Sequence, residues 1–201
     1  MHDLTAQIAF MLEIDKLKAV YRKTVVEAEN NRHENSAEHS WHIALLAQVM
    51  ADYASEPIDI LRVTKMLLIH DIVEIDAGDL FAFAEVQDHQ AQEQKELDAA
   101  KRIFGLLPEP SGQDMLNLWL EFEQAQSADA QYAKAMDRVL PVLQNMSNHG
   151  GSWKTNKVKK SQVLKRNTYL QTIAPKLWDY VIEQVDIAVD IAVGNAWLVE
   201  D

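Results

Sequence analysis

The stretch Met66-Leu67-Leu68-Ile69-His70-Asp71-Ile72-Val73-Glu74 ends an apolar helical run on a histidine and two carboxylates. Burying ionisable groups after such a run is costly unless they are paired or hold a metal. Pro57 suits the first turn of this helix, which runs through Ile60, Val63, Met66 and Leu67 to about His70. Asp71 to Ile75 either continues the helix or forms a short turn, and Asp76-Ala77-Gly78-Asp79 breaks it. On a continuing helix Glu74 faces the same side as His70 and Asp71, because residues three and four apart are neighbours. Imidazole with carboxylate suits a first-row divalent ion better than calcium, which prefers an all-oxygen shell.

Upstream, Glu38-His39 falls in the opening turn of another helix, about 37–54, with Ser36 as its expected N-cap. Its apolar face uses Ile43, Leu46, Ala47 and Met50. Downstream, Asp137 interrupts the hydrophobic face of Ala133-Lys134-Ala135-Met136-Asp137-Arg138-Val139-Leu140. Pro141 lies four residues on, so its ring opposes the Asp137 carbonyl and disturbs the helix there. A disturbance at a buried carboxylate points to a site.

The rest of the chain reads as helix. Residues 3–20 carry Ile8, Met11, Leu12, Ile14, Leu17 and Val20 at helical spacing. From Tyr21 to Asn35 the pattern fails: β-branched Thr24, Val25 and Val26 precede the turn signal Asn30-Asn31, so a loop or short hairpin is expected. Helices follow over 88–104 (ending at Gly105), 113–126, 128–146, 161–173 and 176–199, with Pro175 between the last two. The fold class is all-α, roughly eight helices in a single domain over 1–201, with no strand assigned.

Composition narrows the function. Of 201 residues, 48% are hydrophobic and 25% charged, an ordinary globular balance. The net charge of −12 disfavours nucleic-acid binding, which draws on phosphate neutralisation. An anionic substrate then needs a local cation or a metal. The absence of cysteine excludes disulfides, zinc fingers, iron–sulfur clusters and a thiol nucleophile. The N-terminal Met1-His2-Asp3 lacks a signal-peptide n-region, and no apolar run reaches the ~18 residues of a membrane span. A cytoplasmic protein without membrane contact is expected.

The order His39 … His70-Asp71 … Asp137 resembles the H…HD…D pattern of the HD-domain metal-dependent phosphohydrolases. Glu34-Asn35-Ser36-Ala37-Glu38-His39-Ser40 is similar to the E-N-x-x-E-H-S segment of the bacterial 5′-deoxynucleotidases in that superfamily. His70-Asp71-Ile72-Val73-Glu74 with Ala77-Gly78-Asp79 is similar to their H-D-x-x-E-x-x-x-G-D run, and Lys134-Ala135-Met136-Asp137 to their final aspartate region. The similarity covers about residues 10–145; helices over 161–200 are expected to pack on that core.

The resemblance implies a helical HD-domain bundle around one divalent transition metal per chain (Mn, Co, Zn, Fe or Ni, with Mg less suited). It implies His39, His70, Asp71 and Asp137 as ligands, a small phosphorylated substrate and a homodimer. The C-terminal helix, with Trp178, Val181, Ile182, Val185 and Val189, either supplies the dimer interface or packs on the core. A hydrolase of nucleoside 5′-monophosphates follows, in which Glu74 or Asp79 orients the attacking water or Asp79 helps the leaving group. Arg22 aligns with an arginine that contacts phosphate, and its planar fork suits that role. Lys23 stands where the relatives carry a tryptophan beside the sugar, which puts deoxyribose selectivity in doubt. Asn148-His149-Gly150-Gly151-Ser152-Trp153-Lys154 is a candidate flexible loop closing over substrate, offering His149, Trp153 and Lys154.

Blander readings stand beside these. His39 can be held by Glu38, His70-Asp71 can be a satisfied buried pair, and Asp137 can pair with Arg138 or Lys134. Glu74 and Asp79 can be solvated, and Arg22 can cover apolar surface. His89 in Gln87-Asp88-His89-Gln90 is assigned to the surface, which argues against a dinuclear site. A metal-binding nucleotide sensor without turnover and a guanosine-polyphosphate hydrolase are the alternative functions.

Overall fold

The structure is a computed structural model, described here over residues 2–190 and 196–200, except the side chains of His2 and Val86. In chain order it contains α1 (His2–Ile14), a 3₁₀ segment (Asp15–Ala19), β1 (Tyr21–Val26), β2 (Arg32–Asn35), α2 (Ser36–Val49) and α3 (Ile60–Ile69). A 3₁₀ turn (His70–Val73) leads to α4 (Glu74–Ala77), α5 (Val86–Phe104), α6 (Ser111–Gln124) and α7 (Ala128–Ser147). The rest comprises α8 (Gly151–Thr155), α9 (Lys160–Asn167), α10 (Leu170–Ile173) and α11 (Pro175–Asp190). Eight of these helices have eight residues or more, in line with an all-α bundle.

The only paired strands among the described residues form the antiparallel hairpin β1–β2, with Val25 opposite His33 and Val26 opposite Arg32. Asn30 and Asn31 turn it with φ of 55° and 59°, a region asparagine tolerates better than most residues. Side chains on a strand alternate faces, so Arg22 and Thr24 both turn inward while Tyr21 and Lys23 stay exposed.

α2 begins one residue earlier than expected, and its cap is Asn35 rather than Ser36. Asn35 is extended (φ −96°, ψ 158°), and its side chain accepts from the Glu38 amide at 3.0 Å. Glu38 accepts from the Asn35 amide at 3.3 Å, closing a capping box. Ser36 is left to donate its hydroxyl to Glu74 Oε2 at 2.6 Å. α3 likewise starts after Pro57, because Asp59 caps it by accepting from the Leu61 and Arg62 amides.

The middle of the molecule is the packing of α7 against α2, α3 and α6. Ile43, Ala47, Val63, Met66, Leu67, Met136 and Val139 form its buried centre, and the buried Tyr132 hydroxyl donates to the Ala47 carbonyl at 2.9 Å. A second cluster joins Phe10, Leu17, Ile69, Ile72, Ile103, Phe104 and Trp119 beneath α5 and α6. α11 packs on α7 through fully buried Val181 and Val185, so the apolar face of the C-terminal helix belongs to the core.

Three expectations are corrected in the C-terminal third. The expected 161–173 helix divides into α9 and α10. The expected 176–199 helix ends among the described residues at Asp190; 191–195 lie outside them, and Val199 forms a bridge with Lys159 instead of a helical turn. The segment 148–154 is not a free loop: α8 is tied down where Ser152 and the Trp153 amide donate to Asn145 Oδ1, and Trp153 is 2% exposed. None of the described helices is long and apolar enough to cross a membrane.

Candidate metal centre and its cavity

Three elements deliver the central groups. His39 sits at the start of α2, His70 follows the end of α3, and Asp137 lies midway along α7. Their side chains converge: His39 Nε2 is 2.9 Å and His70 Nε2 is 3.8 Å from Asp137 Oδ1. One atom from each of the three lies within 4.8 Å of the others, the arrangement of a metal-binding trio. Asp71 flanks it, with Oδ1 2.9 Å from His70 Nε2 and Oδ2 accepting from Arg22 Nη1 at 2.8 Å.

The donor set fits a divalent cation. His70 Nδ1 lies 2.9 Å from the Leu67 carbonyl, which can only accept, so Nδ1 donates there and Nε2 is the ring atom turned to the site. That Nε2 is buried and has no hydrogen-bond partner among the described residues. It faces the acceptor oxygens of Asp71 and Asp137, and a cation among them turns mutual repulsion into coordination. The Trp119 indole donates to the His70 carbonyl at 3.1 Å, and Phe122 meets the His70 ring edge-on, which fixes the ring's place.

His39 is oriented from behind by Glu34, which sequence reasoning passed over as a functional residue. His39 Nδ1 faces Glu34 Oε2 at 3.4 Å, and the same carboxylate accepts from Thr24 at 3.0 Å and Gln144 at 2.6 Å. A carboxylate behind a ligating histidine sets its tautomer and raises its basicity. Burial opposes the Glu34 charge, but His39, Gln144 and Arg22 more than offset this and hold its carboxyl below the usual range. The signal was present: Glu34 opens the quoted Glu34–Ser40 motif, five residues before His39.

Arg22 reaches in from β1. Besides Asp71, it lies 4.0 Å from Glu74, 3.7 Å from Asp79 and 3.9 Å from Asp137. Burial works against its charge, yet these four carboxylates raise its pKa further. Asp137 is likewise opposed by burial but held well below the usual carboxylate range by His39, His70 and Arg22. Glu74 and Asp79 go the other way. Burial, together with Asp71 and the other member of the pair, pushes Glu74 well up, and burial with Asp71 pushes Asp79 up. Gly78 (φ 76°) makes the turn from α4 that brings Asp79 back to the site. Gln92 of α5 pins that turn by donating to the Gly78 carbonyl at 2.8 Å.

These groups open onto a cavity of about 380 Å³, within the usual range for small-molecule sites. Arg22, Lys23, His70, Asp71, Glu74, Asp79, Asp137 and Trp153 all line it. His149 and Lys154 do not. The His149 ring turns 5.7 Å from Trp197, and Lys154 is exposed on α8. Gly150 is where Trp197 approaches, since a Cβ there would come within 2.6 Å of it. The cavity also takes in His89, Glu96, Arg138 and Arg166. His89 therefore leaves the outer-surface assignment, and Glu96 is pushed up to about 7 by burial and neighbouring Glu123.

Replacing Glu34 by Gln keeps the shape but removes the charge behind His39. The expected result is metal affinity weakened about 10- to 100-fold, read by competition with a chromogenic chelator. Unaltered affinity would leave Glu34 a packing residue.

Residues 14–178 match the family model described as HD domain. A protein of Magnetospirillum magnetotacticum named "predicted metal-dependent phosphohydrolase" is 43% identical, with a TM-score of 0.89 over 98% of this chain and 95% of that one. The human 5′-deoxynucleotidase HDDC2 is 29% identical over 143 residues, 71% of this chain and 68% of that protein. The zebrafish (Danio rerio) protein of the same name is 28% identical over 137 residues, 68% and 66% respectively. The chain thus spans about two thirds of the length of these curated relatives. An HD-domain phosphohydrolase of Listeria innocua, 16% identical with a TM-score of 0.59 over 91% of this chain and 85% of that one, shares the fold. With a matched model over most of its length and the motif residues gathered at one buried centre, the chain belongs to the HD domain family.

Proposed function

We propose that this chain is a metal-dependent phosphohydrolase that releases phosphate from nucleoside 5′-monophosphates. The observation that carries the reading is the buried convergence of His39, His70 and Asp137 beside a cavity into which Arg22 projects. The names of the human and Magnetospirillum relatives agree with it. His39, His70, Asp71 and Asp137 are the four ligands in this reading. Two imidazoles and two carboxylates suit Mn, Co, Zn, Fe or Ni better than Mg. When bound, such an ion supplies Lewis-acid polarisation of a phosphoryl oxygen and acidification of water.

The chain's own residues do the rest. Arg22 offers its guanidinium to the equatorial phosphoryl oxygens as charge grows on them. Glu74 Oε2 is held by Ser36, leaving Oε1 to take a proton from the attacking water. Asp79, whose carboxyl burial and the neighbouring Asp71 push up, stands to give a proton to the leaving 5′-oxygen. Phosphorus gains the water oxygen and loses the ester oxygen, so the products are inorganic phosphate and a nucleoside. Lys23, exposed at the cavity rim, replaces an aromatic surface beside the sugar, so the reading extends to ribo- as well as deoxyribonucleotides.

We place the protein in the cytoplasm as a homodimer. α11 is spent on the core, but α2 exposes Trp41, Leu45 and Val49 at successive turns, 63%, 47% and 67% accessible. Sedimentation should give about twice the 22.9 kDa chain mass, and Trp41→Glu should give the monomer. A wild-type monomer would remove the dimer.

Metal-stripped protein reconstituted with Mn²⁺, Co²⁺, Zn²⁺ or Mg²⁺ should release phosphate from nucleoside 5′-monophosphates with at least one transition ion. Asp71→Ala and His39→Ala should lose bound metal, by elemental analysis, and activity together. Stoichiometric metal in both variants would refute the ligand set, and no release by wild type under any ion would turn the reading toward a nucleotide sensor. Glu74→Gln should retain metal while kcat falls about 10²- to 10⁴-fold. A kcat within twofold of wild type would take Glu74 out of the proton transfer.

A further inference from the structure

We propose that Arg138 and Arg166 form a second phosphate subsite in the same cavity, and that the preferred substrate is a nucleoside bisphosphate rather than a monophosphate. This rests on the nucleotidase reading above and names its substrate class. The chain has six arginines. Arg22, Arg32, Arg62 and Arg102 each have a carboxylate partner. Arg138 and Arg166 have none within 4.0 Å among the described residues, although the net charge is −12. These two are also side by side and both line the cavity: Arg138 Nη1 donates to the Arg166 carbonyl at 3.1 Å.

Their setting is built rather than incidental. The Arg138 guanidinium lies 4.6 Å over the Tyr169 ring, whose hydroxyl is anchored on the Lys134 carbonyl at 2.8 Å. Arg166 makes one long contact, 3.5 Å to the Ala82 carbonyl, which leaves most of its five donors unused. Burial and the neighbouring Arg138 both lower the Arg166 pKa, against the pull of Asp137. Asp137 itself is engaged by His39. An arginine stays charged in proteins, and Arg166, half-buried on the cavity wall with no carboxylate within 4.0 Å among the described residues, leaves that charge to be met from the cavity side. A phosphate, with charge and oxygens matched to the guanidinium fork, is the ligand that meets it.

Arg22, enclosed by Asp71, Glu74 and Asp79, serves the scissile phosphate. Neither Arg138 nor Arg166 is within ion-pair distance of those three carboxylates. In this proposal the anion they take is a second phosphate of the same substrate molecule. Hydrolysis is still of one ester: the phosphate at the metal trio leaves as inorganic phosphate, and the other stays on the nucleoside.

Adenosine 3′,5′-bisphosphate and adenosine 5′-monophosphate are the probes. For the metal-loaded wild type, kcat/KM should favour the bisphosphate at least tenfold. Arg166→Met should erase that preference, chiefly through KM, and Arg166→Lys should keep part of it. Calorimetric binding of the two nucleotides gives a readout independent of turnover, with the bisphosphate weakened at least tenfold more than the monophosphate in Arg166→Met. Equal losses on both nucleotides, or no wild-type preference in either assay, would overturn the subsite. Release from neither nucleotide, with selective bisphosphate binding that is lost in Arg166→Met, would overturn the nucleotidase reading and uphold the subsite.

Discussion

Everything in this molecule is arranged around negative charge kept out of water. Glu34, Asp71, Glu74, Asp79 and Asp137 crowd about one guanidinium and two imidazoles. An isolated buried carboxylate is far costlier than one hydrogen bond can offset. The fold's answer is division of labour. Asp71 and Asp137 are held below the usual carboxylate range by cationic and hydrogen-bonding neighbours, whereas burial pushes Glu74 and Asp79 above it. Environment alone thus pulls chemically identical carboxylates in opposite directions.

The scaffold explains how that division is maintained. α7 contributes Asp137 and carries the core on which α2 and α3 lie, so His39 and Asp137, 98 residues apart in sequence, are set by one helix-packing arrangement. The hairpin brings Arg22 and Thr24 to the same side, and Thr24 then helps to hold the carboxylate behind His39. Ser36 bridges the start of α2 to Glu74. His39 and Glu74 are thus each held by a side chain rooted in a packed element.

Much of this is legible in sequence, where chemistry and local pattern coincide. The His70-Asp71 doublet after an apolar run, Asp137 on a hydrophobic face before Pro141 and the Asn30-Asn31 turn each announce themselves within a few residues. What is not legible depends on competition between neighbours or on distant packing. Asn35 takes the cap because Ser36 is claimed by Glu74, 38 residues away. Trp153, within a Gly- and Lys-rich stretch that reads as loop, is buried because Asn145 on α7 gathers α8 onto the core. His89, Glu96 and Arg166 sit in polar segments, and only the closing of α5 and α9 about the cavity brings them to it.

The span of the trio has a thermodynamic consequence. His39, His70 and Asp137 come from α2, the 3₁₀ turn after α3, and α7, and meet only when all three are in place, so the unfolded chain has no such site. An ion that binds this centre binds the native state alone, and each hundredfold excess over its dissociation constant adds about 2.7 kcal/mol to the unfolding free energy. Free metal concentration thereby acts as a lever on the lifetime of the whole bundle, and the ion serves as a strut between helices as well as a reagent.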